Sequence, residues 1–346
     1  MFFNQGIRII TGLSLLLLVG CSSGGSTTTT ATDNTPINAS PNTASVTRNA
    51  TYNFEATYDV VYGQGLSHSS WNAPSPITQD LLLDIYVPMN DQTERPAMVF
   101  IHGGGFVGGD KGTSAPVEFA RYFAERGFVS LSINYRLLGD YGTVPQGFVD
   151  AADDIPLLTN DERDQIKAMY PATRDAKAAI RWLSANAESY GVDANQISVI
   201  GGSAGSFISI ALGASNLDDY KDELSLAEDA TLASTNLDND VIVASVVNHW
   251  GGPATVDMLA LVDDQTRWDP TDAPLSIVHG TEDPTVSYAL AEDLENIYTI
   301  TGAYYEFTTL EGAGHGAWNT TVNGQSLQAL GFDFITRVLE LDVQEN

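Results

Sequence analysis

The sequence predicts an α/β fold built around a mostly parallel β-sheet with helices on both faces. From Tyr52 onward, short apolar runs alternate with segments of helical periodicity, the order that builds such sheets. Several of the runs are continuous rather than alternating, which is typical of strands buried on both faces. The chain has 346 residues, a length that suits one large domain once an N-terminal tail is set aside.

The apolar runs predict strands, in chain order, at residues 81–87, 97–101, 128–135, 197–200, 241–247, 275–278 and 304–309. An apolar face over residues 176–187 predicts a helix that ends at Gly191, a residue suited to a helix C-terminus. Residues 327–341 repeat apolar side chains at helical spacing and predict the last helix. Because functional groups gather at the carboxyl ends of parallel strands, the segments that follow strands are the place to search for a site.

Two intervals are too long to be plain connections. Residues 138–171 mix aromatic and aliphatic side chains with acids, and we interpret them as a lid-like insertion that faces the substrate. Residues 215–240 are interpreted as a surface embellishment.

Acidic residues dominate the charge of the chain. Forty-four Asp and Glu stand against 15 Lys and Arg, a formal net charge of −29. Such a field repels phosphate backbones and anionic lipid surfaces, which excludes nucleic-acid binding and leaves a lipid anchor as the only expected hold on a membrane. The 43% hydrophobic content predicts a packed core.

Residues 1–20 have the pattern of a signal peptide. Arg8 precedes the apolar stretch 9–19, about a dozen residues where a membrane span needs roughly 20. The stretch runs into Cys21, the only cysteine, and resembles a bacterial lipobox; this resemblance implies cleavage before Cys21 and its acylation, for example with palmitate. Ser22, by similarity to other envelope lipoproteins, implies attachment to the outer membrane. A chance cysteine at the end of an ordinary signal peptide is the alternative.

Residues 21–51 predict a flexible tether. They are rich in Ser, Thr, Asn and Ala and lack large apolar side chains, so they cannot bury enough surface to offset their ordering entropy. The folded catalytic domain is expected over residues 52–346.

Residues 197–205 predict a strand that enters a G-x-S-x-G turn, followed by a helix. Small residues at Gly201 and Gly205 let strand and helix approach closely, and the sharp turn exposes the hydroxyl of Ser203. Ser203 is therefore the candidate nucleophile.

A serine nucleophile needs groups that stabilise the oxyanion formed by its attack. The glycine loop, residues 102–106, follows the predicted strand 97–101 and can aim backbone N–H groups at a developing negative charge. The candidate donors are Gly103, Gly104, Gly105 and Ala204, used as Gly103 with Gly104, or Gly104 with Gly105, in each case together with Ala204.

The base is found by elimination among the five histidines. His315 alone lies in a glycine-rich loop after the last predicted strand, where it can turn toward Ser203. The acid is expected after strand 275–278, where Asp283 is preferred to its neighbour Glu282. The order Ser, Asp, His along the chain is typical of one hydrolase fold.

Six segments together resemble the α/β-hydrolase superfamily: 102–106, 135–137, 175–183, 201–205, 279–283 and 314–315. The similarity spans most of residues 52–338 and is strongest to the hormone-sensitive-lipase-like and carboxylesterase branches. It implies an α/β-hydrolase fold and a serine carboxylic-ester hydrolase, with bacterial acetyl-xylan and feruloyl esterases among the possible relatives. Gly202 and Ser206 depart from the pattern, because these branches often have an acid and a glycine at those positions.

The expected reaction is acyl transfer through Ser203, Asp283 and His315, without metal or other cofactor. Short-chain esters or acetyl and feruloyl esters on carbohydrates are the expected substrates. Four aromatic residues near the motifs are candidate pocket walls: Phe106, Phe207, Trp250 and Trp318. The alternatives are a serine peptidase on the same fold and a non-catalytic binding protein of the envelope.

Overall fold

The structure, a computed structural model, describes residues 44–345. Three predicted features lie outside the described residues: the signal peptide 1–20, lipidation at Cys21 and the tether up to residue 43. No helix within residues 44–345 combines the length and apolarity required to cross a membrane.

The strands are β1 Ser45–Thr47, β2 Phe54–Ser67, β3 Ile77–Pro88, β4 Arg95–Ile101, β5 Val129–Ile133, β6 Val192–Gly202, β7 Ser245–His249, β8 Leu275–Gly280, β9 Tyr305–Leu310, β10 Thr321–Val322, β11 Gln325–Ser326 and β12 Asp342–Gln344. Eight of them form the central sheet in the order β2-β3-β5-β4-β6-β7-β8-β9. All pairs from β5 to β9 are parallel, whereas β2 and β3 pair antiparallel at one edge. The mostly parallel sheet predicted from the sequence is confirmed.

The helices are α1 Ser114–Ala124, α2 Gln146–Asp154, α3 Asn160–Ala185, α4 Ala187–Tyr190, α5 Ala204–Ala214, α6 Ala254–Asp263, α7 Ala289–Thr301 and α8 Leu327–Val338. Two apolar clusters cover the two faces of the sheet. One includes side chains of α3, α5, α6 and α7, and the other includes side chains of α1 and α8. The core therefore lies on both faces, as continuous apolar strands require.

A buried ion pair joins the segment after β5 to the middle of α3. Arg136 and Asp175 are each 2% exposed, and the guanidinium binds both carboxylate oxygens at 2.6 to 3.1 Å. Because removal of one partner would leave a buried charge, the pair holds the two segments in one arrangement. Arg136 and Asp175 belong to segments 135–137 and 175–183, two of the six that carry the family resemblance, and the ion pair gives both segments a structural role.

Residues 138–171 are mostly helical. The sequence analysis described them as an insertion separate from the helix predicted over 176–187, and the structure corrects this, because one helix spans the end of the interval and most of that range. The interval contains α2 and the first turns of α3, which runs on through Pro171. The helix begins at a capping box, in which Thr159 and Glu162 exchange hydrogen bonds. The sequence prediction starts this helix after Pro171, because proline usually marks a helix end. The Gln165 side chain donates to Gly105 O (3.1 Å), so this segment adjoins the glycine loop.

Several elements differ from the sequence prediction: β2 was not predicted, and β3 and β6 begin earlier than the strands predicted at 81–87 and 197–200. Residues 241–244 do not join the sheet, and β7 begins at Ser245. Folded structure extends upstream of the expected start at Tyr52, because β1 pairs in parallel with β12 and buries Val46 completely. A strand with a single large apolar residue has no periodicity to detect, and its partner lies at the far end of the chain.

Candidate active site

Ser203 lies on the sharp turn between β6 and α5. Its φ of 55° is in the left-handed region, which non-glycine residues rarely occupy. A Cβ atom at Gly201 would overlap the backbone of Gly205, and one at Gly205 would overlap the carbonyl oxygen of Ile101. The close approach of strand, helix and β4 therefore requires both glycines, and strain of this type persists where the surroundings enforce it.

The structure brings Ser203, His315 and Asp283 together in one hydrogen-bonded chain. The Ser203 hydroxyl donates to His315 Nε2 at 3.0 Å, and His315 Nδ1 donates to Asp283 Oδ2 at 2.7 Å. Asp283 follows β8 and His315 follows β9, so all three side chains gather at the carboxyl edge of the sheet. The His315 side chain is 22% exposed, whereas the Asp283 side chain is fully buried.

Asp283 is ionised despite its burial. Burial raises the pKa of its carboxyl, but hydrogen bonds from His279, His315 and two backbone N–H groups outweigh this and hold the pKa well below its usual range. The backbone donors are Thr285 (2.8 Å) and Val286 (2.9 Å), both to Oδ1. The neighbouring Glu282 is exposed, so the turn after β8 selects the inner acid.

His279 was not recognised from the sequence as part of this arrangement. It is fully buried, its Nε2 donates to Val286 O at 3.0 Å, and the same nitrogen lies 3.4 Å from Asp283 Oδ2. Its spacing of four residues from Asp283 was the available signal. This spacing brings the two side chains together only because a tight turn folds Asp283 back onto the end of β8.

Two other histidines support the backbone around the nucleophile. His249 is fully buried, donates from Nδ1 to Gly201 O at 3.0 Å, and is kept neutral because burial lowers its pKa to about 4. Its backbone N–H and carbonyl both bind the Ser206 hydroxyl at 2.9 Å, which gives a structural role to the serine that departs from the pattern expected from the family resemblance. Burial also lowers the pKa of His102, whose ring stacks on Tyr135 with centroids 4.3 Å apart.

The glycine loop passes beside Ser203 in a conformation that only glycine adopts easily. Gly104 has a φ of +125° and Gly105 a φ of +63°. A Cβ at Gly103 would lie 2.6 Å from Gly202 O and 3.2 Å from Ser203 Cβ, so the loop touches the nucleophile turn. Ala204 is the first residue of α5, where backbone N–H groups have no partner within the helix. The glycine loop and the first turn of α5 therefore both lie next to Ser203.

A cavity of about 430 Å³ opens above Ser203. Of the four predicted wall residues, Trp250 and Trp318 line it. Phe106 and Phe207 do not, because both are completely buried in the core. Further wall residues that the sequence did not indicate are Phe100, Thr113, Ala115, Pro116 and Thr285. Within residues 44–345, no three His, Cys, Asp or Glu side chains are grouped as metal ligands.

Part of the chain is similar in sequence to known hydrolases. The chain is 33% identical over 138 residues to an acetylcholinesterase of Gallus gallus, and 32% identical over 139 residues to a phenmedipham hydrolase of Pseudarthrobacter oxydans. These alignments cover 39% and 40% of this chain but only 16% and 24% of the relatives, so the chain spans less than a quarter of either.

Solved structures with the same fold match most of the chain. A carbohydrate esterase from gut microbiota superimposes with a TM-score of 0.56 at 22% identity, covering 84% of this chain and 98% of that one. An esterase of Thermogutta terrifontis gives a TM-score of 0.54 at 23% identity, covering 82% and 92%. The α/β-hydrolase fold is thereby confirmed. Residues 70–243, which include the glycine loop and Ser203, match the carboxylesterase family, and the chain belongs to this family.

Proposed function

We propose that this protein hydrolyses carboxylic esters through Ser203, with His315 as general base and Asp283 as the residue that orients it. The observation that carries the proposal is the continuous hydrogen-bonded chain from Asp283 through His315 to the Ser203 hydroxyl, next to the glycine loop and the first turn of α5. An isolated serine lacks both the base and the oxyanion donors that acyl transfer requires.

In the first half of the reaction, Ser203 Oγ attacks the ester carbonyl carbon while its proton passes to His315 Nε2. Asp283 stabilises the imidazolium that forms. The oxyanion accepts hydrogen bonds from Ala204 and from Gly104 with one neighbouring glycine. His315 then gives its proton to the alkoxy oxygen, the alcohol leaves, and an acyl-serine remains.

In the second half, His315 takes a proton from water, and the resulting hydroxide oxygen attacks the acyl-serine. The C–O bond to Ser203 breaks, His315 returns the proton to Oγ, and the carboxylic acid is released. Loss of one oxyanion donor typically costs about 3 kcal/mol of transition-state stabilisation.

The substrates we propose are short-chain esters or small acyl groups, such as acetyl or feruloyl, carried on carbohydrates. The cavity of about 430 Å³ is near the lower end of the usual range for ligand sites and has aromatic walls. The finer placement we propose is close to the hormone-sensitive-lipase-like and carboxylesterase branches, with Gly202 as a departure from the acid that often precedes the nucleophile there.

The test is hydrolysis of p-nitrophenyl acetate by the wild type, Ser203→Ala and Ser215→Ala. The first variant removes the attacking oxygen and is expected to lower kcat by about 10³-fold or more. Ser215 is the matched control at the other end of α5, where its hydroxyl has no hydrogen-bond partner within the described chain. An inactive wild type, or Ser203→Ala with normal turnover, refutes the proposal. Cleavage of a peptide panel in preference to esters would favour the peptidase alternative.

We further propose that the chain is a lipoprotein of the bacterial envelope, held in the outer membrane through Cys21. The support is sequence alone: the lipobox-like segment, the single cysteine and a net charge of −29 that leaves no electrostatic attachment. Cys21→Ser is expected to move the protein from the detergent phase to the aqueous phase in detergent partitioning. Wild-type protein found entirely in the aqueous phase contradicts the anchor.

A further inference from the structure

Trp318, three residues after His315, belongs to a cluster of aromatic rings at the carboxyl edge of the sheet. Its ring centroid lies 4.6 Å from that of Trp250, 5.1 Å from His249 and 5.9 Å from Phe100. The Trp250 and Trp318 rings meet edge to face, a favourable aromatic geometry. Trp318 is therefore held by packing against rings from two strands: Phe100 on β4, and the consecutive residues His249 and Trp250 at the end of β7.

The indole of Trp318 occupies the space beside the residue that precedes the nucleophile. A Cβ atom at Gly202 would overlap Cζ2 of Trp318 and would lie 2.5 Å from Cη2. This is closer than real Cβ contacts, so no side chain fits at position 202 while Trp318 is in place. The departure from the family pattern at Gly202 and the tryptophan 116 positions later (318 − 202 = 116) are thus one structural feature.

The chemistry of acyl transfer assigns directions within the cavity. His315 must protonate the leaving alcohol, so the alcohol lies toward Nε2. The carbonyl oxygen lies toward the backbone donors of the glycine loop and Ala204. We assign the acyl chain to the remaining direction, along the aromatic wall of the cavity formed by Phe100, Trp250 and Trp318. Trp318 in this wall borders Gly202.

We propose that Trp318 determines the substrate's acyl length: its indole closes the acyl side of the cavity and restricts the enzyme to short acyl groups. This inference rests on the proposed ester hydrolysis. Glycine at position 202 is required for this arrangement, because any larger residue there would displace the indole.

The first test compares p-nitrophenyl acetate, butyrate and octanoate with full-length wild type and Trp318→Ala. The octanoate-to-acetate ratio of kcat/KM is expected to rise at least tenfold in the variant, since one methylene in an apolar pocket changes discrimination by about 10-fold or more. Both substrates are measured on one preparation, so partial unfolding cancels from the ratio. Trp318→Phe, a smaller truncation, is expected to give an intermediate ratio.

Trp182→Ala is the matched control. Trp182 packs against Tyr190, just before the start of β6. The part of β4 that pairs with β6, Arg95–Ile101, is about 20 Å long, so Trp182 lies at the end of the strand opposite to Ser203. Its substrate ratio is expected to equal that of the wild type. An unchanged ratio in Trp318→Ala refutes the inference while leaving ester hydrolysis intact. A wild type that hydrolyses no ester refutes the proposed function instead.

A second series holds the acetyl group constant and enlarges the alcohol from methyl to naphthyl. Trp318→Ala is expected to leave this order of preference unchanged. If the variant gains activity on large alcohols and not on long acyl chains, Trp318 lines the alcohol side and the inference is wrong.

The pairing of Gly202 with Trp318 has a readout that needs no substrate. Gly202→Ala is expected to lower the melting temperature by about 2 to 6 °C in the wild type, because overpacking strains the site. In the Trp318→Ala background the same change has open space and is expected to lower it by less than half as much. Equal shifts in both backgrounds would contradict the contact on which the inference depends.

Discussion

Substitution of Asp283 by asparagine is expected to abolish most of the turnover without unfolding the protein. Asp283 Oδ1 accepts two backbone hydrogen bonds, from Thr285 at 2.8 Å and Val286 at 2.9 Å. An amide NH₂ group cannot accept these bonds, so the asparagine oxygen must take the Oδ1 position. The NH₂ group then takes the Oδ2 position, opposite His315 Nδ1.

Two donors would then face one another, and His315 must change its tautomer to relieve the conflict. With the proton on Nε2, the ring can no longer accept the proton of Ser203. The expected loss in kcat is about 10⁴-fold, equivalent to about 5 kcal/mol of transition-state stabilisation. The NH₂ group would also face His279 Nε2, which lies 3.4 Å from Oδ2 in the wild type.

The assay is steady-state hydrolysis of p-nitrophenyl acetate by Asp283→Asn and by Glu282→Gln, with the melting temperature as a control for folding. The Glu282 side chain is exposed, and the backbone N–H of this residue donates to Ala313 O. Substitution of the side chain is therefore expected to leave kcat unchanged. If Asp283→Asn stays within tenfold of the wild type, or if Glu282→Gln causes the greater loss, the tautomer argument is refuted.

Three further changes test other parts of the structure. Burial raises the pKa of Asp257 to about 7, so the native state holds a proton that the unfolded state loses near pH 4, and this group contributes up to about 4 kcal/mol of stability at pH 4 that is lost by pH 7. Asp257→Asn, whose side-chain oxygen still accepts from Trp268 Nε1, is expected to remove this one contribution in chemical denaturation at several pH values, whereas Asp272, whose pKa is also raised by burial, keeps its own. Gly205→Ala places a Cβ against Ile101 O and is expected to lower activity and to reduce the free energy of unfolding by about 1 to 3 kcal/mol. Near-native activity and stability would contradict the close approach of α5 to β4. His279→Leu removes a buried donor beside the acid and is expected to lower kcat by about tenfold with little change in KM. A change confined to KM would contradict the role of His279 in holding the acid.

The sequence by itself determined the fold class and the local motifs. Alternation of continuous apolar runs with helical segments requires a parallel sheet covered on both faces, and the structure has that sheet. The turn around Ser203 and the glycine loop were also readable, because each depends on backbone conformations that a few neighbouring residues dictate. The same local logic narrowed the acid to two adjacent residues after β8.

Tertiary structure decided everything that depends on which direction a side chain faces or on contacts between distant segments. Phe106 and Phe207 are as close in sequence to the motifs as Trp250 and Trp318, yet only the two tryptophans reach the cavity. The pairing of β1 with β12 likewise joins the two ends of the described chain.

The pairing of Gly202 with Trp318 shows the reason most clearly. Each residue alone is unremarkable in the sequence, and the indole meets the glycine only after β6 and the loop beyond β9 have been brought to the same edge of the sheet. Periodicity and turn chemistry act over a few residues, whereas steric exclusion between side chains acts over a few ångströms of space. A linear sequence encodes the first directly and the second only through the completed fold.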